Sequence, residues 1–287
     1  MPYTAEISKS NPACFLLLVE LSQRISEPWE QSEDSIGMTS AELICRSVNE
    51  MLENLILRSS KGYGVSGFFD VAVIGYTTST EGAPVVRSLA PEKLAGTSFV
   101  SISEWAAHPL EIVVEERYLD DGCGGSIATP IKRPVWIRPV AALAAPQCAA
   151  LEYCADLAEE WMADHPSSFP PITIHYTAGE SSDGDPAVVA KRLRKLSTED
   201  GKLLLFHSYW SARSKFSAVF PSDGTELPDA ASRRFFEMSS ELPEPMLMAA
   251  RGMEFAVKAG ARGIAVNWDF GSLIQFLDVG TRAAPYQ

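Results

Sequence analysis

A continuous apolar run of strand length, Ala13–Val19, is the feature that most limits what this chain can fold into. A strand with one face in water alternates apolar and polar residues, whereas an unbroken apolar run is typical of a strand buried on both faces of a parallel sheet. After a polar segment, Thr39 and Glu42 form a capping box at the start of an amphipathic helix. A Gly-rich turn at 62–67 then leads into a second apolar run, Phe69–Tyr76. This order of strand, helix and strand predicts a right-handed parallel crossover.

The rest of the chain continues the alternation after an irregular middle. Between about 77 and 135 we expect a hairpin-rich insertion, with a strand at Leu110–Tyr118 that carries charge on one side and a short strand at Pro134–Arg138. Beyond it, hydrophobic spacing predicts helix Pro146–His165, strand Ile172–Thr177, helix Pro186–Ser197, strand Lys202–Phe206, helical stretches between 227 and 260, strand Gly263–Asn267 and a final helix Phe270–Leu277. The sequence therefore predicts one domain over residues 1–287, an α/β fold with a doubly wound, mostly parallel sheet.

Charge and composition exclude several classes of partner. The chain carries 37 Asp and Glu against 24 Lys and Arg, a formal net charge of −13, which disfavours nucleic acid and anionic membrane surfaces. No apolar run approaches the roughly 20 residues of a membrane span. The first residues lack the features of a secretory signal, and five scattered cysteines are typical of a reducing compartment. We therefore expect a cytoplasmic protein without nucleic-acid or membrane partners.

Polar loops follow three of the expected strands, where ligands bind in open parallel sheets. They are Glu20–Arg24, Ala144–Leu151 and Thr177–Glu180. Further segments accompany them: Phe169–Glu180, Ser182–Pro186, Leu196–Phe206 and Phe276–Arg282. Together these residues resemble the von Willebrand factor A (VWA) family, in particular its bacterial intracellular members, over nearly the whole chain. The resemblance implies a VWA, or Rossmann-like, doubly wound fold.

The family's metal-ion-dependent adhesion site is degenerate in this chain. That site uses Asp-x-Ser-x-Ser after the first strand, a Thr in a later loop and an Asp in a Thr-Asp-Gly loop. Carried over by position, these residues fall on Glu20, Ser22, Arg24, Ala145 and Ala178. Mg²⁺ needs near-octahedral oxygen ligands, and two alanines and an arginine leave too few oxygens. We therefore predict no functional metal at this site and no cofactor.

Arg24 brings a permanent cation to the loop where a divalent ion would have neutralised Glu20. One hypothesis is that Arg24 pairs with Glu20 or Glu180 and so replaces the metal; the alternative is that it points to solvent. Trp29 is a further candidate, since large aromatics in loops are favoured as interface anchors, although local packing would also explain it. The predicted partner-binding residues are Glu20, Ser22, Gln23, Arg24, Trp29, Gln147, Glu180 and Asp183.

Other motifs have simpler explanations. The G-x-G-x-x-G pattern at 62–67 follows a helix and precedes a strand, the reverse of a dinucleotide site, and so indicates a helix end and a turn. Asp185 before Pro186 is typical of a helix start, with Asp183 in the preceding turn rather than in a cation loop. A hydrolase that uses Ser22 with His175 or His207 stays open, because catalytic groups converge in space.

These observations predict a protein-protein interaction module that is not an enzyme and that docks a partner without a bridging metal. The resemblance implies a scaffold in a bacterial multi-component stress-response or phage-defence assembly, with a serine/threonine kinase, a PP2C-type phosphatase or a MoxR-type AAA+ ATPase as partner. The alternatives are a conventional Mg²⁺-dependent VWA binding module and, with less support, the hydrolase. A third option is a structural subunit that uses the insertion or the tail 281–287 for its contacts.

Overall fold

Strands and helices alternate along the chain in the computed structural model, which describes residues 3–26, 38–61, 64–120, 125–140, 142–211, 214 and 216–268. The strands are β1 (Ala13–Glu20), β2 (Ser60–Lys61), β3 (Gly64–Val65), β4 (Phe69–Thr78), β5 (Pro84–Ser88), β6 (Val100–Ser101), β7 (Glu111–Asp120), β8 (Ser126–Val135), β9 (Ile172–Thr177), β10 (Leu204–Tyr209), β11 (Ala218–Val219) and β12 (Ile264–Val266). The helices are α1 (Ser40–Ser59), α2 (Ile102–Ala107), α3 (Gln147–Asp164), α4 (Pro186–Leu193), α5 (Ala230–Met238) and α6 (Glu244–Gly252).

The central sheet has the strand order β11-β12-β10-β9-β1-β4-β5, and β6 adds to β4. The five inner strands are parallel, whereas β5, β6 and β11 pair antiparallel. Strand order reverses at β1, since the chain passes from β1 to β4 on one side and later to β9 on the other. The predicted α/β, doubly wound and mostly parallel fold is confirmed.

The apolar run that opened the analysis forms β1, at the centre of the sheet with all eight residues buried. Side chains on a strand alternate between faces, so Phe15 and Leu17 pack with α1 on one side. Leu16 and Leu18 pack with α3 on the other. The amphipathic helix begins as expected, with the capping box of Thr39 and Glu42 in place.

Register brings the ends of three strands to one edge. Glu20 on β1 lies opposite Tyr76 on β4, and Val19 lies opposite Tyr176 on β9. The loops after β1 and β9 therefore leave the sheet side by side, at the point where the strand order reverses. Such a crevice is the usual ligand position in open α/β sheets.

The middle of the chain differs in part from the predicted insertion. Its first strand, β5, completes the edge of the central sheet, while β7 and β8 form a separate antiparallel hairpin. The short strand expected at Pro134–Arg138 is wrong, because β8 ends at Val135 and the side chain of Asn49 then binds the backbone of Trp136 and Ile137.

The ends of other elements also differ from the predicted ones. The strand expected at Lys202–Phe206 runs over Leu204–Tyr209 instead, because the parallel pairing with β9 begins at Leu204 and Ile172. The helix expected at Pro186–Ser197 ends at Leu193. The final helix Phe270–Leu277 and Trp29 lie outside the described residues. Within the described part of the chain, no helix combines the length and apolarity required to cross a bilayer.

Candidate functional site

Glu20 lies at the centre of the crevice with its side chain fully buried. One carboxylate oxygen accepts a hydrogen bond from the Ser22 hydroxyl. The other accepts from the Thr177 hydroxyl at 2.6 Å and from the Ala178 backbone N–H at 2.9 Å. A buried carboxylate is costly unless its oxygens are bonded, and here both oxygens are engaged by groups of this chain.

Thr177 is held in turn by Gln147, the first residue of α3. The Gln147 amide donates to the Thr177 hydroxyl at 3.0 Å and to the Gly179 carbonyl at 2.7 Å. Gln147 is fully buried, so it acts as a brace between α3 and the loop after β9. The three predicted loops therefore meet at the edge of the sheet, and β1 and β9 hold two of them in register.

A second layer of buried polar groups lies beneath Glu20. The Tyr76 hydroxyl is 2.6 Å from Nε2 of His175, which faces His207 across β9 and β10 with 5.3 Å between ring centroids. Burial, with the nearby Glu20 carboxylate as a further cause, raises the pKa of Tyr76 well above its ordinary value. Burial lowers the pKa of His175 to about 3. At neutral pH the imidazole is therefore uncharged.

Arg24 lies over the loop after β9 and not against a carboxylate. A Cβ atom placed on Gly179 would lie only 2.0 Å from Nη1 of Arg24, so the guanidinium rests on the bare Cα of this glycine. Among the described residues, no ion pair joins Arg24 to Glu20 or to Glu180. The hypothesis of such a pair is wrong, because the donors of Ser22, Thr177 and Ala178 already satisfy Glu20.

The positions expected to be degenerate metal ligands do not fit a hydrated divalent cation. Ala145 and Ala178 offer only backbone groups, and the Ala145 carbonyl already accepts from two N–H groups. The oxygens of Glu20 and Ser22 are bonded to each other, and Arg24 adds a fixed positive charge. Oxygen ligands for near-octahedral Mg²⁺ are therefore too few at this edge of the sheet.

Asp183 serves α3 and not a ligand in this structure. Its carboxylate accepts from the backbone N–H groups of Cys148 at 3.0 Å and Ala149 at 2.9 Å, and from the Ser181 hydroxyl at 2.7 Å. Pro146 precedes α3 and supplies no cap, so Asp183 caps this helix from another loop. These hydrogen bonds outweigh partial burial and lower the pKa of Asp183.

Exposed side chains form the outer surface of the same edge. Gln23, Arg24, Glu180 and Asp183 are exposed, and Leu143, whose carbonyl accepts from the Gln23 N–H, is 50% exposed. A cavity of about 30 Å³ lies beside them near Gly179, large enough for a water molecule. The outer surface of this edge therefore combines charged, polar and apolar side chains, and its cavity is small.

The Ser22 and histidine pair that the hydrolase alternative requires is not formed. Ser22 donates to Glu20, while His175 bonds Tyr76 and His207 bonds Ser239 at 2.9 Å. Both histidines are fully buried beneath the site. The structure also places Thr177 and Tyr76 in roles that the sequence did not specify, and polar residues inside otherwise apolar strands were the signal for them. Gln147, predicted to bind a partner, is buried as the brace between α3 and the loop after β9.

The fold and site define an open, doubly wound α/β protein with a buried, hydrogen-bonded glutamate at the carboxyl edge of its sheet. No family model matches the chain, and no curated protein matches it. Among solved structures, the chain is similar to the crystal structure of the manganese-loaded TRAP protein of Plasmodium vivax, with 14% identity and a TM-score of 0.32. The likeness covers 69% of this chain and 57% of that one, so it spans less than two thirds of the other protein. A TM-score this low does not define a shared fold, and the fold class rests on the sheet order itself.

Proposed function

We propose that this chain is a degenerate VWA domain, a non-catalytic module that docks a partner protein through the carboxyl edge of its sheet without a bridging metal. The observation that carries this proposal is the closed hydrogen-bond set of Glu20. Ser22, Thr177 and Ala178 donate to it, where a metal-dependent site would leave carboxylate oxygens free for the ion.

Arg24 gives the edge its own cation. The Arg24 residue is exposed and its guanidinium rests against Gly179, so packing holds a surface cation in place at this edge. Exposed Leu143, whose carbonyl accepts from the Gln23 N–H, adds apolar area to the same edge. Arginine is enriched at energetically important interface positions.

A non-catalytic role fits the chemistry at this edge. Ser22 is not paired with a histidine, because its hydroxyl donates to Glu20 while the buried His175 and His207 bond Tyr76 and Ser239. The resemblance to bacterial intracellular VWA proteins suggests the setting, an assembly for stress response or phage defence. A serine/threonine kinase, a PP2C-type phosphatase or a MoxR-type AAA+ ATPase would then be the partner.

A capture experiment tests the proposal. Tagged wild-type protein, Arg24→Ala and the matched control Arg251→Ala, an exposed arginine on α6, are each incubated with extract of the native host in Mg²⁺ and in EDTA. We expect one set of proteins, identified by mass spectrometry, to be retained in EDTA by wild type and Arg251→Ala and lost from Arg24→Ala. Capture that requires Mg²⁺, or that is indifferent to Arg24, would contradict the proposal.

A further inference from the structure

The hairpin β7–β8 stands apart from the central sheet and carries apolar side chains in water. Its ten residue pairs belong to a sheet of two strands, and Ile112 and Val114 are 60% and 62% exposed. At its base, Arg133 bonds Glu50 of α1. Two-stranded sheets are of marginal stability alone, and exposed apolar residues on such a strand suggest a further contact.

Prolines reveal which backbone groups face outward. Pro134 lies opposite Ile112, and Pro130 lies opposite Glu116. A proline has no N–H, so these positions cannot be the hydrogen-bonded pairs of an antiparallel ladder. Because the two kinds of pair alternate, the backbone N–H and C=O groups of Ile112, Val114 and Glu116 point away from β8.

The two edges of the hairpin therefore differ. On the outer edge of β8, Pro130 and Pro134 remove N–H donors, a feature that blocks pairing with another strand. On β7, no proline interrupts the outer edge, and no other described strand pairs with it. One edge is closed to strand addition and the other is open.

Charge indicates what the open edge would accept. Glu111 and Glu115 flank Val113 on one face of β7, and Ile112, Val114 and Glu116 lie on the other face. Glu111 pairs with Arg138 and Glu115 with Arg133, and the two glutamate side chains are still 38% and 40% exposed. A second copy aligned to pair Ile112 with Val114 would place Glu111 opposite Glu115, and like charges directly opposite are destabilising. A strand that places lysine or arginine opposite Glu111 and Glu115 and apolar residues opposite Ile112 and Val114 would complement β7, and the net charge of −13 attracts such a basic segment.

We infer that the outer edge of β7 is a site for strand addition, and that its occupant is an extended, basic and apolar segment of a partner protein. The added strand pairs with the backbone of Ile112, Val114 and Glu116, and its lysine or arginine side chains lie opposite Glu111 and Glu115. This surface is separate from the carboxyl edge of the central sheet, so either could fail without the other.

A labelled peptide of alternating lysine and valine, nine residues long, tests the inference by fluorescence anisotropy at about 0.15 M salt, near the physiological value. A block peptide with the same composition controls for charge. Two further versions of the peptide carry N-methyl groups on every second backbone nitrogen, one on the odd-numbered residues and the other on the even-numbered residues. Alternate N–H groups of a strand point to opposite edges, so only one of these versions loses the N–H groups that face β7. We expect binding of the alternating peptide, with about a tenfold loss or more for the block peptide and for one methylated version alone.

Protein variants supply the second half of the test. Val114→Pro removes an outward N–H without breaking a bond to β8 and should weaken binding about tenfold, while Val114→Thr should change it by less than about twofold. Circular dichroism checks that both protein variants fold. The methylated peptides are tested on wild-type protein alone, so that part of the test does not depend on the variants. Absence of binding, equal binding of all peptides, or equal binding by Val114→Pro would overturn the inference. A wild-type dimer in sedimentation velocity that Val114→Pro abolishes would also overturn it, in favour of a second copy as occupant.

Discussion

The Thr177 hydroxyl donates a hydrogen bond to the buried Glu20 carboxylate across the boundary between β9 and β1, at 2.6 Å. This bond joins the two strands at which the order of the sheet reverses. Since Thr177 also accepts from Gln147, one hydroxyl links the sheet, the loop after β9 and the start of α3. The cluster is therefore a structural joint.

Thr177→Val tests the joint, because valine keeps the shape of threonine and removes its hydroxyl. The change leaves a buried oxygen of Glu20 with one donor fewer and the Gln147 amide without one of its acceptors. We expect the free energy of unfolding in urea to fall by about 1–3 kcal/mol. Thr80→Val, at an exposed turn position, should change it by less than about 0.5 kcal/mol. Equal effects of the two changes would contradict this role for Thr177.

Gly179→Ala tests the position of Arg24. A methyl group at Gly179 would overlap Nη1 of Arg24 and force the guanidinium away. We expect Gly179→Ala to destabilise wild type more than it destabilises Arg24→Ala, with a coupling energy of about 0.5 kcal/mol or more. Urea unfolding of the four proteins of this cycle measures the coupling. Additive changes would place the Arg24 side chain elsewhere.

His175 should make stability fall in mild acid. Its pKa is lowered to about 3 in the folded protein from 6.5, so below pH 6.5 the unfolded chain binds a proton that the folded protein does not. The contribution is complete above pH 6.5 and is lost as the pH falls toward 3, at about 1.4 kcal/mol per pH unit. His175→Gln should reduce the slope of unfolding free energy between pH 6 and about 4 by that amount. A slope insensitive to His175→Gln would contradict the prediction.

Asp183 should stabilise the protein as a cap supplied by a distant loop. Asp183→Ala leaves the backbone N–H groups of Cys148 and Ala149 without their acceptor, and we expect a loss of about 1 kcal/mol near pH 7. Because the pKa of Asp183 is lowered, its contribution is present above the pKa of the unfolded carboxyl and is lost as the pH falls through the folded value. The difference between wild type and variant should therefore shrink toward pH 3. Asp164→Ala, at the exposed end of α3, is the control, and a difference independent of pH would argue against the cap.

The fold could be predicted because its signals are local and redundant. The apolar run of β1 and the capping box of Thr39 each define an element without reference to the rest of the chain. The ends of strands and helices that depend on contacts with residues distant in sequence could not be predicted in the same way. The end of β8 depends on Asn49, which lies 87 residues from Trp136 in sequence.

The loops that form the candidate site could be predicted from the sequence, but the hydrogen bonds and contacts within it could not. Glu20, Ser22 and the loop at Ala178 meet as the sequence suggested, since the carboxyl ends of parallel strands share an edge. One hypothesis paired Arg24 with a carboxylate, and its guanidinium packs on a glycine instead. Whether Glu20 needs a cation depends on how many neutral donors surround it, and this number is set by residues distant in sequence, such as Thr177.

The effect of divalent cations on thermal stability tests most directly the central claim that the site at Glu20 works without a metal. Thermal unfolding of wild type is compared in EDTA, Mg²⁺ and Mn²⁺, alongside a variant that introduces the VWA metal-ligand pattern by Glu20→Asp, Arg24→Ser, Ala145→Thr and Ala178→Asp. We predict no shift for wild type and a rise of about 2 °C or more for this fourfold variant, which is lost when Ala178 is left unchanged. A midpoint of wild type that rises with Mg²⁺ and returns in EDTA, and that no longer responds in Glu20→Ala, would contradict a metal-free site.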